Sequence, residues 1–303
     1  MKKKLISIIV PVFNEEDNIN YFYNKIKKII KKEKKYNFEL LFLNNCSTDN
    51  TLSKIKVLCD LDKKIRLITY SRNFGRNNSI YGGLKNSKGD FLFLIDVDCQ
   101  DPPELLSTFL RKAEQGYKVI YGLRDRRNDS FAHYILGKIY YRFIYLFSDS
   151  EFLVDMGEFC LIHKDVKDSV VSVKTDKPFI RAEIAHAGFK RIGIPYLRSN
   201  RLYDKSKFNL SKAIFYGISG FLSTSTFLLR IITYFGIGLF FYNLGYYFVS
   251  YKLDLEQLNI LYIIFSLAIV CIYLARTHNN VTSRKIYLID KINSLNRNHK
   301  YYD

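Results

Sequence analysis

Apolar and polar positions alternate along the first 120 residues in two distinct rhythms. Leu5–Phe13 is a short β-branched run, as a strand buried on both faces should be. A Lys-rich amphipathic stretch over 17–35 predicts a helix, Phe38–Leu43 a second strand, and Thr51–Asp60 a second helix. Ile65–Tyr70, Phe91–Ile95 and Lys118–Tyr121 read as further strands, separated by helical patterns over Asn77–Asn86 and Pro103–Gln115. This alternation predicts an α/β fold built on a doubly wound, mostly parallel sheet, with its site at the carboxyl ends of the strands. The opening MKKKLISIIVPVF lacks a small-residue cleavage site, and its apolar run breaks at Asn14-Glu15-Glu16-Asp17. It therefore reads as a strand and not as a signal peptide.

The pattern changes near residue 212. Residues 231–251 and 257–275 contain no charge. As helices they would be roughly 32 and 28 Å long, which matches the hydrocarbon core of a bilayer. Only residues 252–256 join them, so the pair reads as a transmembrane hairpin spanning 231–276. The short loop carries one Lys, whereas the chain from Arg276 onward carries six Lys and Arg. By the positive-inside rule, the N-terminal domain (1–212) and a basic tail (277–303) both face the cytoplasm. A further apolar stretch, 213–229, is rich in Gly, Ser and Thr and ends at Arg230. An interfacial helix over 213–230 fits it better than a third span, which would place the tail outside.

Composition narrows the partners. The 303 residues carry a formal charge of +18, which invites nucleic acid, anionic lipid or a phosphorylated substrate. No RNP-like aromatic–basic strand or nucleic-acid-binding helix motif is present, and two membrane spans oppose nucleic acid as a partner. Five scattered cysteines without C-x-x-C spacing argue against a disulfide scaffold or zinc ribbon and for a reducing compartment. The five histidines show no metal spacing. No G-x-G-x-x-G and no Walker sequence occurs, so the usual phosphate cradles are missing.

The strand ends carry the chemistry. After the fourth strand comes Asp96-Val97-Asp98-Cys99-Gln100-Asp101-Pro102-Pro103-Glu104. Carboxylates leaving a buried strand and stopped by two prolines suit Mg²⁺ or Mn²⁺ completed by substrate phosphate. The plainer reading is a solvated acidic turn with Asp101 capping a helix whose first position is Pro. That turn does not stand alone, because VPVFNEE, NNCSTDNT, SRNFG and YGLRDRR place polar residues at the other strand ends. Together with the later RLYDKSKFNLSKAI and FLLRIITYFGIG, these segments resemble the family-two glycosyltransferases of GT-A fold. The likeness is to the polyprenyl-phosphate branch, which includes bactoprenol glucosyltransferases and dolichyl-phosphate mannose synthases, and it runs over about residues 5–275.

The resemblance implies a GT-A-like sheet followed by the interfacial helix and the hairpin, and a set of roles. Pro11, Phe13, Glu15, Asn45 and Asp96 would contact a nucleotide-sugar donor, with Asn45 standing where the family usually has Asp. Asp96, Asp98 and Gln100 would hold Mg²⁺ or Mn²⁺, and Asp101 would bound the sugar pocket. Arg124, Arg201 and Lys207, helped by Ser206 and Lys138, would clamp the phosphate of a polyprenyl phosphate acceptor. Asp98, Asp101, Arg124 and Arg201 would then form the catalytic set, and a UDP-linked hexose is the expected donor. A lipid phosphate is already ionised, so inverting displacement needs no strong general base.

Two departures stand out. Asn44-Asn45-Cys46 replaces the usual Asp-Asp-Gly, and Gly157-Glu158-Phe159-Cys160 replaces Gly-Asp-Phe-Arg, losing a base and lengthening a carboxylate. They keep alive a catalytically dead membrane scaffold as an alternative, and a transferase acting on a sugar hydroxyl of a glycolipid or polysaccharide is another. Homo-oligomerisation through the hairpin is compatible with the sequence.

Overall fold

The computed structural model describes residues 3–125, 156–173, 175, 178–199, 225–250, 256–281, 286–295 and 301. Its centre is strand β1 (Leu5–Val12), flanked by β2 (Asn37–Asn44) and β4 (Phe91–Leu94), both parallel to it. Strand β3 (Ile65–Thr69) lies parallel beyond β2. On the other side come β6 (Met156–His163), β5 (Val119–Asp125) and β7 (Arg191–Leu197), giving the order β3-β2-β1-β4-β6-β5-β7. Only β6 runs antiparallel to its neighbours β4 and β5, so the sheet is mostly parallel, as the alternation predicts.

Side chains of β1 point alternately to two cores. Ile6, Ile8 and Val10 meet α1 (Glu16–Lys32), α2 (Thr51–Leu61) and α4 (Leu106–Glu114) through Phe22, Ile26, Ile55 and Phe109. Ile9, with Leu41 and Leu43, meets the opposite layer, α3 (Arg76–Asn86), α5 (Lys164–Ser172) and α6 (Ile180–His186), through Ile80, Leu84, Val166 and Ile184. Full burial on both faces is why these strands read as continuous apolar runs. Each fully buried Ile or Phe side chain contributes about 1.5–3 kcal/mol, so the two layers together hold the sheet between them. Connections leave β1 and β4 in opposite directions along the sheet, which opens a crevice at their carboxyl ends.

Helices α7 (Phe227–Ser250) and α8 (Glu256–Val281) form an antiparallel pair. The Asn243 amide donates to Asn259 Oδ1 at 3.0 Å, the Tyr262 hydroxyl to Ile232 O, and the Tyr273 hydroxyl to Ser225 O at 2.8 Å. Both contain 20-residue stretches long and apolar enough to cross a membrane, Phe227–Tyr246 and Tyr262–Val281. Their apolar side chains are exposed, with Phe240, Phe241, Phe248 and Phe265 all above 60%. Helices that formed a protein core would bury these groups, so exposure favours lipid as their surroundings. Helix α7 starts four residues before Ile231, because the Ser225 hydroxyl accepts from Phe227 N and Thr226 O accepts from Leu229 and Arg230 N. Residues 227–230 are thus the first turn of α7, and 213–224 of the expected interfacial helix lie outside the described residues.

Part of the basic tail is docked. Residues 286–295 lie antiparallel along the free edge of β3, through isolated bridges Leu67–Leu295 and Tyr70–Ile289. Tyr287, 2% exposed, stacks edge-on against Tyr70 at 5.6 Å, and the Ser294 hydroxyl accepts from Thr69 N at 2.8 Å. Covering an edge strand in this way removes a template for unwanted pairing.

Candidate active site

The carboxyl ends of β1 and β2 are laced together. Asn14 N donates to Ser47 Oγ, Thr48 N to Asn14 Oδ1, and Glu15 N to Thr51 Oγ1 at 2.8 Å. Pro11 sits at the end of β1 opposite Leu43, and Phe13 and Glu15 are half-buried beyond it. The Glu15 carboxylate accepts from the Asn18 amide at 2.7 Å. Asn45 is 5% exposed and binds the loop after β3: its Nδ2 donates to Asn73 Oδ1 at 2.8 Å, and its Oδ1 accepts from Phe74 N at 3.0 Å. An Asp at 45 could not donate to Asn73, so the Asn–Asn pairing is a matched one.

Backbone strain gathers at the same place. Among the described residues the non-glycine positions with positive φ are Asn14 (53°), Cys46 (61°) and Cys99 (53°), in the loops after β1, β2 and β4 respectively. A left-handed non-glycine residue costs on the order of 1–3 kcal/mol, and such positions cluster where a site dictates the backbone.

Past β4 the chain alternates. Val97 and Cys99 turn into the core, while Asp96 and Asp98 are half-buried and face outward. Burial pushes the Cys99 thiol up to about 12, so it stays neutral and is no thiolate ligand. Asp98 Oδ1 accepts from Gln100 N at 3.2 Å, and the Gln100 amide donates to Ser199 O. Among the described residues no group of three or more His, Cys, Asp or Glu gathers as a ligand cluster. Asp96 and Asp98 are the outward-facing carboxylates of this strand end, because Asp101 is buried. That set is too sparse for a closed protein cage and fits a hard divalent cation completed by water and substrate phosphate.

Asp101 is 7% exposed and held from the far edge of the sheet. The Tyr196 hydroxyl donates to its Oδ1 at 2.5 Å, and Arg198 Nε lies 3.5 Å from the same oxygen. Tyr196 pairs with Arg124 in the β5–β7 ladder. Burial, then the Asp101 charge, push the Tyr196 phenol above its ordinary range, with Arg124 acting in the opposite sense. Asp96, Asp98, Gln100, Asp101 and Arg124 thus come from two strand ends of one face, with Ser199 N donating to Gln100 O at 3.0 Å. Lys138, Arg201, Ser206 and Lys207 lie outside the described residues.

Several site residues escape sequence reasoning. Arg76, at the start of α3, lies 2.7 Å from Asp96 and also contacts Glu158 on β6. Tyr196 and Arg198 reach Asp101 from β7. Their signals were faint: a glycine turn before Arg76, and Tyr196-Leu197-Arg198 ending an apolar alternation.

Comparison with known proteins agrees with this geometry. Glycosyl transferase family 2 matches residues 7–170. The glycosyltransferase YkcC of Bacillus subtilis strain 168 is 29% identical, over 98% of this chain and 97% of its own length. A prophage bactoprenol glucosyl transferase homolog of Escherichia coli K12 is 32% identical over 77% of this chain and 76% of its own. In fold, the chain is similar to glucosyl-3-phosphoglycerate synthase from Mycobacterium tuberculosis, solved with Mn²⁺, UDP-glucose and phosphoglyceric acid. That likeness has a TM-score of 0.51 and 14% identity, over 71% of this chain and 76% of that one. With an acidic strand end at the switch point of a mostly parallel sheet, the chain belongs to glycosyl transferase family 2, as a GT-A glycosyltransferase of the polyprenyl-phosphate branch.

Proposed function

We propose that this protein transfers a hexose from a UDP-linked donor to polyprenyl phosphate at the cytoplasmic face of a membrane. One observation carries the reading: an acidic strand end suited to a nucleotide sugar shares a chain with a pair of long helices whose apolar side chains are exposed. The family supports glycosyl transfer, and the relative named for bactoprenol supports a polyprenyl phosphate acceptor and glucose as the hexose. The fold relative bound to Mn²⁺ and UDP-glucose supports a uridine donor and a divalent cation.

The residues divide the work. Pro11, Phe13, Glu15 and Asn45 border the nucleoside, and Asp96, Asp98 and Gln100 are the residues that would hold Mg²⁺ or Mn²⁺. When bound, that cation offsets the charge growing on the leaving nucleoside diphosphate. Asp101, fixed by Tyr196 and Arg198, bounds the sugar. Arg124 meets the acceptor phosphate with Lys138, Arg201, Ser206 and Lys207; Ser199, two residues before Arg201, is bonded to Gln100. An acceptor phosphate oxygen attacks the anomeric carbon, the bond to the diphosphate oxygen breaks, and the configuration inverts. No proton must be removed, so orientation and charge placement do the catalysis.

The hairpin supports the orientation. Helix α8 ends at Val281, and Ile286 begins the segment docked on β3, which leaves at most about 18 Å of extended chain between them. The start of α7 and the end of α8 therefore sit on the catalytic-domain side, and the Lys/Arg bias of the tail supports the cytoplasm as that side. Membranes carrying the protein, undecaprenyl phosphate and Mn²⁺ would be offered labelled UDP-glucose, UDP-GlcNAc, UDP-galactose or GDP-mannose in turn. Label entering a mild-acid-labile lipid, lost with chelator and with Asp98→Ala, is the expected result. Folded wild-type protein that labels lipid from none of them would overturn the reading.

A further inference from the structure

The loop between β3 and α3, Ser71–Gly75, has little core of its own. Ser71, Arg72, Asn73 and Gly75 are exposed, and only Phe74 packs against a core cluster. Two sets of contacts fix its position. From the inside, Asn45 Oδ1 accepts from Phe74 N, Asn45 Nδ2 donates to Asn73 Oδ1, and the Cys46 thiol donates to Ser71 O at 3.9 Å. From the outside comes the docked tail: Ser71 N donates to Leu288 O at 3.0 Å, Asp290 N to Thr69 O at 2.7 Å, and Leu295 N to Leu67 O at 2.8 Å. These bonds fall on the half of β3 nearest the loop, which edge protection alone does not require. The rings continue the same path, since Tyr287 lies edge-on to Tyr70, and Tyr70 edge-on to Phe74 at 6.5 Å. A Cβ on Gly82 of α3 would come 2.5 Å from the Tyr70 hydroxyl and 3.2 Å from the Tyr287 ring, so the seat is shaped for these two residues. The tail's own turn is built to match: Ile292 N and Asn293 N donate to Asp290 Oδ1, and Lys56 of α2 donates to Asn293 Oδ1 at 2.9 Å.

We propose that the docked tail positions the donor site: seated on β3 through Tyr287 and Ser294, it holds the Ser71–Gly75 loop against Asn45 in the form that takes the nucleoside of the donor. This rests on the reading of Asn45 as part of the donor site. Tyr287 and Ser294 are positioning residues here, acting through the loop and touching no substrate. Only residues 282–285 separate α8 from the docked segment, so the hairpin and the donor loop are joined through the tail. A tail that is seated or released then gives two states with unequal affinity for donor. Linkage makes the effect reciprocal: the factor by which seating tightens donor binding is the factor by which bound donor tightens seating.

The test uses full-length protein in nanodiscs with saturating Mn²⁺. Binding of UDP and of GDP is read by calorimetry, and seating of the tail by amide hydrogen exchange over 286–295. The nucleotide that binds should slow exchange of the Asp290 and Leu295 amides by about 5–10-fold. Tyr287→Ala, studied below its own melting temperature, should weaken that nucleotide by up to the same factor and leave the KM for polyprenyl phosphate unchanged. Ser294→Ala, which removes a single hydroxyl, should weaken it less, and Tyr287→Phe, which keeps the ring, should bind as wild type does. A tail that only stabilises the fold would show no change in exchange on adding nucleotide, or equal losses for donor and acceptor in Tyr287→Ala. Either result overturns the proposal, as does wild-type nucleotide affinity in both Tyr287→Ala and Ser294→Ala. Wild-type protein that binds Mn²⁺ but neither UDP nor GDP would instead sink the donor-site reading, and the proposal with it.

Discussion

Tyr196→Phe isolates one hydroxyl at the centre of the candidate site. The ring stays, with its edge-on contact to Phe159 at 5.4 Å, so cavity and transfer terms cancel. What disappears is the bond from the Tyr196 hydroxyl to Asp101 Oδ1, 2.5 Å long and made to a carboxylate only 7% exposed. Hydrogen bonds to charged groups contribute about 1.5–3 kcal/mol. Arg198 at 3.5 Å is too distant to replace that bond in full, so the cost belongs in the upper half of the range, about 2–3 kcal/mol. For a domain of this size that lowers Tm by roughly 4–12 °C. The chain has no Trp, so far-UV circular dichroism of detergent-solubilised protein is the natural readout. Transfer should fall about 10-fold or more in kcat, with the KM for donor less affected, because a loosened Asp101 no longer orients the sugar. A variant within 2 °C of wild type and fully active would refute the claim that Tyr196 holds Asp101.

Three further outcomes follow from the same structure. Glu39 is 8% exposed, paired with Arg66 at 2.6 Å and bonded by Ser7; burial raises its carboxyl, but Arg66 and these hydrogen bonds outweigh that and hold it below its usual value. Glu39→Gln should cost about 3–5 kcal/mol at neutral pH. Because the folded pKa is depressed, wild-type stability from this group is full above the unfolded carboxylate value, about 4.3, and is lost as pH falls through the lower folded value. The Tm gap between wild type and Glu39→Gln should thus narrow below about pH 4, and a constant gap would contradict the assignment. Tyr287→Ala empties a site between Tyr70 and Tyr81, and should cost about 3–5 kcal/mol and expose 286–295 to protease; unchanged proteolysis would mean the tail is not held there. Cys46→Gly removes a side chain from φ 61° and should stabilise by about 1 kcal/mol, seen as a small rise in Tm, whereas a fall would show that the strain argument is wrong.

Much of this was legible because buried parallel strands and the polar residues at their ends are local signals. Phe91–Ile95 followed by Asp96 and Asp98 announces a strand entering an acidic site within ten residues. The antiparallel β6 was not legible: Met156-Gly157-Glu158 is a poor strand start, and its partner β4 is far upstream. Strand β7 hides behind Gly193 and Pro195, residues an edge strand tolerates and a central one does not. In the tail, Ile286, Tyr287, Ile289 and Leu295 do the docking, and their spacing around Asp290, Lys291 and Asn293 follows neither a strand nor a helix period, so no element registers. Tyr196 and Asp101 are 95 residues apart, and Arg76 meets Glu158 only because α3 and β6 share a sheet face. Pairings of that range come from topology, which no local window contains.

In the proposed reaction a phosphate is the nucleophile. Purified protein in nanodiscs with Mn²⁺ and the labelled donor that proves active would be offered polyprenyl phosphate and the matching polyprenol in equal amounts, and the lipid products separated and weighed by mass spectrometry. Label in the phosphate lipid alone, as a hexosyl phosphate diester with inverted anomeric configuration, is what the arrangement of Asp96, Asp98, Asp101 and Arg124 predicts. Label in the polyprenol, or a retained configuration, would contradict it.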